Sequence, residues 1–148
     1  MTYETSNPST QANAGPGRPA EARTPHILVA EDDDDMRALL GQALRCSGYE
    51  VAELSDGLHL VACIASAEPG RFDAIVSDIR MPGVSGIEVL EGLKDFADAP
   101  PVILITAFGD RETHELAGRL GAAAVFDKPF DVDDLLAELR RIVPLPPI

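Results

Sequence analysis

The chain has 148 residues, 45% of them hydrophobic, enough for one ordinary domain with a sizeable core. It lacks Trp and has only 5% aromatics, so that core is aliphatic, and 25 acids against 12 Lys and Arg leave a net charge of −13. That charge excludes a globally basic nucleic-acid binder and disfavours docking on an anionic membrane leaflet.

Residues 1–24 are Ser, Thr, Asn, Gln, Gly, Pro and Ala with almost nothing to bury, and Pro8, Pro16 and Pro19 break up any helix. Such a composition does not offset its ordering entropy, so a disordered N-terminal arm is expected. Glu4 and Glu21 cancel Arg18 and Arg23, which places the whole net charge in the rest of the chain. The start, Met1-Thr2-Tyr3-Glu4, lacks an apolar signal core, and no apolar stretch reaches the roughly 18–20 residues that span a bilayer. A cytoplasmic address is the expectation. Cys46 and Cys63 form neither a CxxC nor a metal spacing, and they read as two reduced thiols.

From residue 25 the pattern alternates. His26 to Ala30 is a short apolar run; Met36, Leu39, Leu40, Ala43 and Leu44 then recur at helical spacing up to Ser47-Gly48. Tyr49 to Leu54 reads as a weak strand, followed by a helix with Leu58, Val61 and Ile64 on one face, closed by Pro69-Gly70. Phe72 to Ser77 is a third strand, and Ile87, Leu90 and Leu93 mark a third helix. Val102 to Ile105 is a β-branched strand; Thr113, Leu116, Ala117 and Leu120 form a helix stopped by Gly121. Ala122 to Phe126 is the fifth strand, and Leu135, Leu136, Leu139, Ile142 and Val143 the fifth helix, opened by Asp131. Pro144 to Ile148 is a proline-rich end. Apolar strands alternating with amphipathic helices imply a doubly wound α/β domain over 25–143, its parallel sheet covered on both faces. Ligands of such sheets bind beyond the carboxyl ends of the strands, so the residues there carry the functional reading.

Those residues are Glu31-Asp32-Asp33-Asp34-Asp35 after the first strand, Asp78 after the third, Thr106 after the fourth and Lys128 after the fifth. Taken singly, each has a plain structural role. Asp33 to Asp35 suit the N-terminus of the first helix, and Asp78 could cap a loop before Pro82. Lys128, however, is one of only two lysines and sits between Phe126 and Phe130, where a merely solvated lysine is out of place. Taken together, Glu31, Asp32 and Asp78 converge and repel, which a hard divalent cation such as Mg²⁺ relieves. Mg²⁺ also neutralises phosphoryl oxygens, and one carboxylate can then act as nucleophile and become an aspartyl phosphate. Lys128 supplies a second positive charge to such a group, and Thr106 a hydrogen bond.

Four segments carry a family resemblance: Ile27 to Asp33, Ser77-Asp78-Ile79-Arg80-Met81-Pro82-Gly83-Val84-Ser85-Gly86, Ile105-Thr106-Ala107 and Asp127-Lys128-Pro129-Phe130. They resemble, in order and spacing, the receiver domain of two-component response regulators. The resemblance implies a flavodoxin-like five-stranded sheet of order 2-1-3-4-5. It implies Asp78 as phosphoacceptor, Thr106 as switch hydroxyl and Lys128 as the phosphoryl-contacting lysine. Glu31 and Asp32 match the acidic pair that holds Mg²⁺, with Asp32 as a direct ligand beside Asp78 and the backbone carbonyl of Arg80. The donor would be a histidine kinase or a histidine phosphotransfer protein, and the Lys128-Pro129 bond is usually cis in this family.

Departures are Glu31 in place of the commoner Asp and Val125 where an aromatic switch residue is common. Arg80 and Phe108 flank the site and are expected to tune phosphoryl lifetime. With only a few residues after the fifth helix, a stand-alone receiver or a piece of a longer regulator is the expectation, with no separate catalytic domain. Its output would be a protein contact through the surface of the fourth helix, fifth strand and fifth helix, without direct binding of nucleic acid. A haloacid-dehalogenase-type phosphatase with Asp32 as nucleophile and Asp34 as the second acid is the rival, although Glu31 directly follows the strand and the Asp78 to Gly86 stretch is left unexplained. A degenerate receiver that only docks partners is a third reading, opposed by the full set of Asp78, Thr106 and Lys128. A calcium loop counted from Asp32 fails, with Arg37 at position six and Ala43 at position twelve.

Overall fold

The computed structural model describes residues 23–147 except 97 and 108. Residues 1–22 of the leader and Phe108 therefore lie outside the described residues. Five strands alternate with five helices: β1 (His26–Ala30), α1 (Asp34–Cys46), β2 (Glu50–Leu54), α2 (Gly57–Ser66), β3 (Ala74–Asp78), α3 (Gly86–Leu93), β4 (Val102–Thr106), α4 (Arg111–Arg119), β5 (Ala124–Asp127) and α5 (Val132–Ile142). The strands form one parallel sheet of order β2-β1-β3-β4-β5. This is the flavodoxin-like doubly wound arrangement, with the reversal of strand order between β1 and β3.

The central strands are buried along their whole length, as continuous apolar runs require when both faces are covered. Alternate residues feed two cores. Ile27, Val29, Val76, Ile103 and Ile105 meet Leu40 and Leu44 of α1 and Leu135 and Leu139 of α5. Leu28, Ile75, Val102 and Leu104 meet Leu60 of α2, Val89, Leu90 and Leu93 of α3, and Ala117 of α4.

Each helix opens on a side chain that accepts a backbone N–H. Asp33 caps α1, Asp56 α2, Ser85 α3 in a full capping box, Asp110 α4 and Asp131 α5. Asp33 thus fills the capping role expected of it, accepting from Met36 N–H at 2.8 Å.

Three details differ from the sequence expectation. Asp78 and Thr106 are the last residues of β3 and β4 rather than the first beyond them, because each strand keeps its ladder one residue longer. Arg23, counted with the leader by composition, pairs with Asp73 at 2.9 Å and donates to the Gly70 carbonyl. On α2 the stripe Leu58, Val61 and Ile64 is not the buried face as a whole: Leu58 and Val61 are exposed, Ile64 packs partly buried against the core, and Leu60 is the buried anchor. α2 is apolar on both sides, so its periodicity alone does not pick the inner face.

Candidate functional site

The carboxyl edge gathers the residues singled out in the sequence. Glu31 follows β1, and Leu28, Val29 and Ala30 ahead of it are buried in the sheet, which drives its side chain inside as well; it is 1% exposed. Asp78 ends the adjacent β3 and is 5% exposed. Ligand oxygens of Glu31, Asp32 and Asp78 all lie within 4.8 Å of one another. Glu31 and Asp78 are buried, whereas Asp32 is exposed at the rim. Lys128, held at the end of β5 by donation of its backbone N–H to the Thr106 carbonyl at 2.8 Å, reaches across the edge. Its Nζ donates to Asp78 Oδ2 at 2.7 Å and to Glu31 Oε1 at 3.1 Å. Thr106 is buried at the end of β4, next to both strands that carry these groups. The Lys128-Pro129 bond is cis.

The remaining carboxylate oxygens are also held. Asp78 Oδ1 accepts the Arg80 N–H at 2.9 Å, and Glu31 Oε2 accepts the Asp33 N–H at 3.0 Å. Burial first, and then the neighbouring Asp78 carboxylate, push Glu31 up to about 7, against the opposing bonds from Asp33 and Lys128. For Lys128, burial works against the ammonium, yet the bonds to Asp78 and Glu31 outweigh it and hold its pKa above the ordinary value. Lys128 bonds Glu31 and Asp78, and Asp32 adds a third carboxyl group beside them, which leaves the cluster short of positive charge. A hard cation with oxygen ligands fits that donor set, and an open cleft lined by Asp32, Arg80, Met81, Pro82 and Ser85 lies beside it.

Several supporting residues carry no sequence signal of their own. Arg37 donates to the Glu31 carbonyl at 2.8 Å and to Asp34 Oδ1 at 2.6 Å, so it braces the acidic turn from behind and turns Asp34 away from the cluster. Gly86 packs so closely that a Cβ there would sit 2.6 Å from the Asp78 carbonyl oxygen. Gly57 is pressed in the same way against the Val84 carbonyl, which ties the start of α2 to the loop after Asp78. His114 on α4 meets Asp127 at 2.9 Å, one residue before Lys128. Arg37 looks like any helix surface arginine in sequence. The glycines belong to recognisable segments, but which backbone they touch is set by the tertiary fold.

The chain matches the model of the response regulator receiver domain over residues 27–140. It belongs to that family. It is 38% identical over 144 residues to the transcriptional regulatory protein TcrA of Mycobacterium tuberculosis, covering 93% of this chain and 55% of TcrA. This receiver chain thus spans about half the length of that relative. With the sporulation initiation phosphotransferase F of Bacillus subtilis it shares 30% identity, over 80% of this chain and 94% of the relative. Among solved structures, the chemotaxis response regulator CheY4 of Vibrio cholerae aligns with a TM-score of 0.73 at 28% identity, covering 82% of this chain and 100% of that one. Receiver domains are phosphorylation-dependent signalling switches rather than separate catalytic domains. They accept phosphoryl groups from histidine kinases or phosphotransfer proteins, and they generally bind Mg²⁺ at an acidic pocket. No described helix is long and apolar enough to cross a membrane.

Proposed function

We propose that this receiver takes a phosphoryl group from a histidine kinase or histidine phosphotransfer protein onto Asp78, with Mg²⁺ as cofactor. The observation that carries the reading is the Lys128 ammonium, 2.7 Å from Asp78 at the switch point of the sheet and beside the three-carboxylate cluster. Asp78 attacks phosphorus through a carboxylate oxygen. The new O–P bond forms as the P–N bond of phosphohistidine breaks, and the imidazole leaves with the bonding pair. Lys128, already at the carboxylate, offers its one remaining N–H donor to a transferred oxygen, and Thr106 turns its hydroxyl toward the group. Glu31, Asp32, Asp78 and the Arg80 carbonyl would hold Mg²⁺. When bound, the ion supplies charge neutralisation between the carboxylates and the incoming anion. Arg80 and Phe108 tune how long the phosphoryl group survives.

The altered surface of α4, β5 and α5 then meets a protein partner. The −13 charge favours a protein over nucleic acid as the target. The match to nearly all of the sporulation initiation phosphotransferase F of B. subtilis supports phosphoryl transfer as the chemistry of the receiver itself. The two free cysteines suit a reducing cytoplasm. The phosphatase rival loses its second acid, since the Asp34 carboxylate is bound to Arg37 and exposed.

The test is incubation with acetyl phosphate and Mg²⁺, mass spectrometry of the intact chain, and peptide mapping. One phosphoryl group on the peptide holding Asp78 is expected. Asp78→Asn abolishes it, Asp34→Asn leaves it nearly intact, and Lys128→Ala retains some uptake without the conformational response. Label on Asp32, or turnover of phosphate monoesters that survives Asp78→Asn, overturns the reading. Absence of any label leaves a docking-only receiver.

A further inference from the structure

α2 is a surface helix without a single charged residue, in a chain of which a quarter is charged. Leu60 anchors it to the core, yet Leu58 is 62% and Val61 42% exposed, and Ala65 continues the same outer stripe at i+4. Phe96, just beyond α3, is 51% exposed on the facing side. Between the two helices runs a groove lined by Val61, Ile64, Ala65, Val89, Leu93 and Phe96, which continues past Phe72 toward the amino edge of the sheet. Three exposed acids border it: Glu68 and Asp98 at one end and Glu88 at the other. The one cation among the lining residues, Arg71, is already engaged, its guanidinium 2.6 Å from His26 Nδ1 and stacked over Phe72.

We propose that this groove docks a cationic amphipathic helix of a partner protein. The apolar floor takes the partner's apolar stripe, and the acidic border pairs with Lys or Arg on either side of that stripe. α2 has 10 residues, and at 1.5 Å per residue the groove is roughly 15 Å long, which suits about three turns with anchors at i, i+4 and i+7. A second copy of this chain is disfavoured as occupant because it brings its own acidic border and a further −13 of charge. The site is separate from Asp78 and does not rest on the phosphorylation reading.

The experiment uses the full chain, ¹⁵N-labelled and unphosphorylated. The probe is a synthetic amphipathic helix with a Leu stripe flanked by Lys; the controls replace Lys by Glu or scramble the stripe. Saturable shifts confined to α2, α3 and Phe96 are expected with the Lys peptide alone, weakening as salt rises. Val61→Ser and Phe96→Ser change exposed positions and should each weaken binding about tenfold or more. Shifts spread over other acidic surfaces, equal binding of a control peptide, unchanged affinity in both variants, or no saturable binding overturns the proposal. A concentration-dependent dimer that Phe96→Ser abolishes also overturns it, in favour of self-association.

Discussion

At the amino edge of the sheet, polar and charged groups meet as partners near solvent. Arg23 grips Asp73, whose other oxygen accepts the His26 N–H at 2.8 Å, and Arg71 donates to the His26 ring. At the carboxyl edge, Glu31, Asp32 and Asp78 crowd together, and one ammonium bonds Glu31 and Asp78. The first edge closes the domain and leaves little to react with. The second is held together against its own repulsion, and that imbalance is what an incoming cation or phosphoryl group relieves. One sheet thus gathers its balanced charges at the amino ends of the strands and its unbalanced ones at the carboxyl ends.

The contrast is sharpest when its central cation is removed. Lys128 is 21% exposed at its side chain, and its partners Glu31 and Asp78 are 1% and 7%. Lys128→Met leaves two buried carboxylates facing each other. Removal of one partner from a buried ion pair costs on the order of 3 kcal/mol or more. Urea unfolding at neutral pH in a chelator should show that loss. A change under about 1 kcal/mol, typical of exposed pairs, would mean that the cluster is relieved by other means.

Metal addition works in the opposite direction at the same place. If the three carboxylates hold Mg²⁺ in the folded chain only, a hundred-fold excess over the dissociation constant stabilises it by about 2.7 kcal/mol. Asp32→Asn should erase most of that gain while raising stability in chelator, because it removes one of three crowded charges. Melting curves of both proteins, with Mg²⁺ or chelator at matched ionic strength, decide it. Identical curves for the wild type in the two buffers remove the metal from the site.

The amino edge should respond weakly. The Arg23–Asp73 pair is partly exposed, 39% and 22% at the two side chains, so Arg23→Ala is expected to cost about 0.5–1 kcal/mol in the same urea experiment. A loss as large as that of Lys128→Met would erase the distinction between the edges.

Much of this was legible in the sequence because the informative residues sit at strand ends. Apolar runs with alternating helices give the layers, and Glu31, Asp78, Thr106 and Lys128 give the edge. Strand order and the cis bond came through the family resemblance, and both are found in the structure. The inner face of α2 was not legible, since a helix apolar all round has no period to read. Arg37 was not legible either, because its partner is a backbone carbonyl brought near by the turn after β1. Arg23 was assigned by its neighbours' composition, and a single ion pair across 50 residues leaves no local trace.

The smallest expected effect lies in His26, which opens β1 at the amino edge. Its ring stands edge-on to Phe72 at 5.4 Å, and its Nδ1 faces the Arg71 guanidinium, which can only donate. That bond favours the neutral ring with a bare Nδ1, whereas Glu50 Oε1, 3.5 Å from the same nitrogen, favours the protonated one. Burial first, and then Arg71, hold its pKa below the ordinary 6.5; Glu50 at 3.5 Å and Asp73 pull the other way, and Arg23 adds a minor repulsion. The unfolded chain therefore takes up this proton at a higher pH than the native one. Between the two values it binds more protons, so His26's contribution is complete above 6.5 and is lost as pH falls through the native pKa. His26→Asn keeps an acceptor toward Arg71 and cannot titrate, so its stability should fall less than that of the wild type between about pH 7 and about pH 5. The imidazole resonance of His26 should also show a midpoint below 6.5 in an NMR titration. A midpoint above that value would mean that Glu50 and Asp73 outweigh burial and Arg71, and that the amino edge, like the carboxyl edge, carries an excess of negative charge.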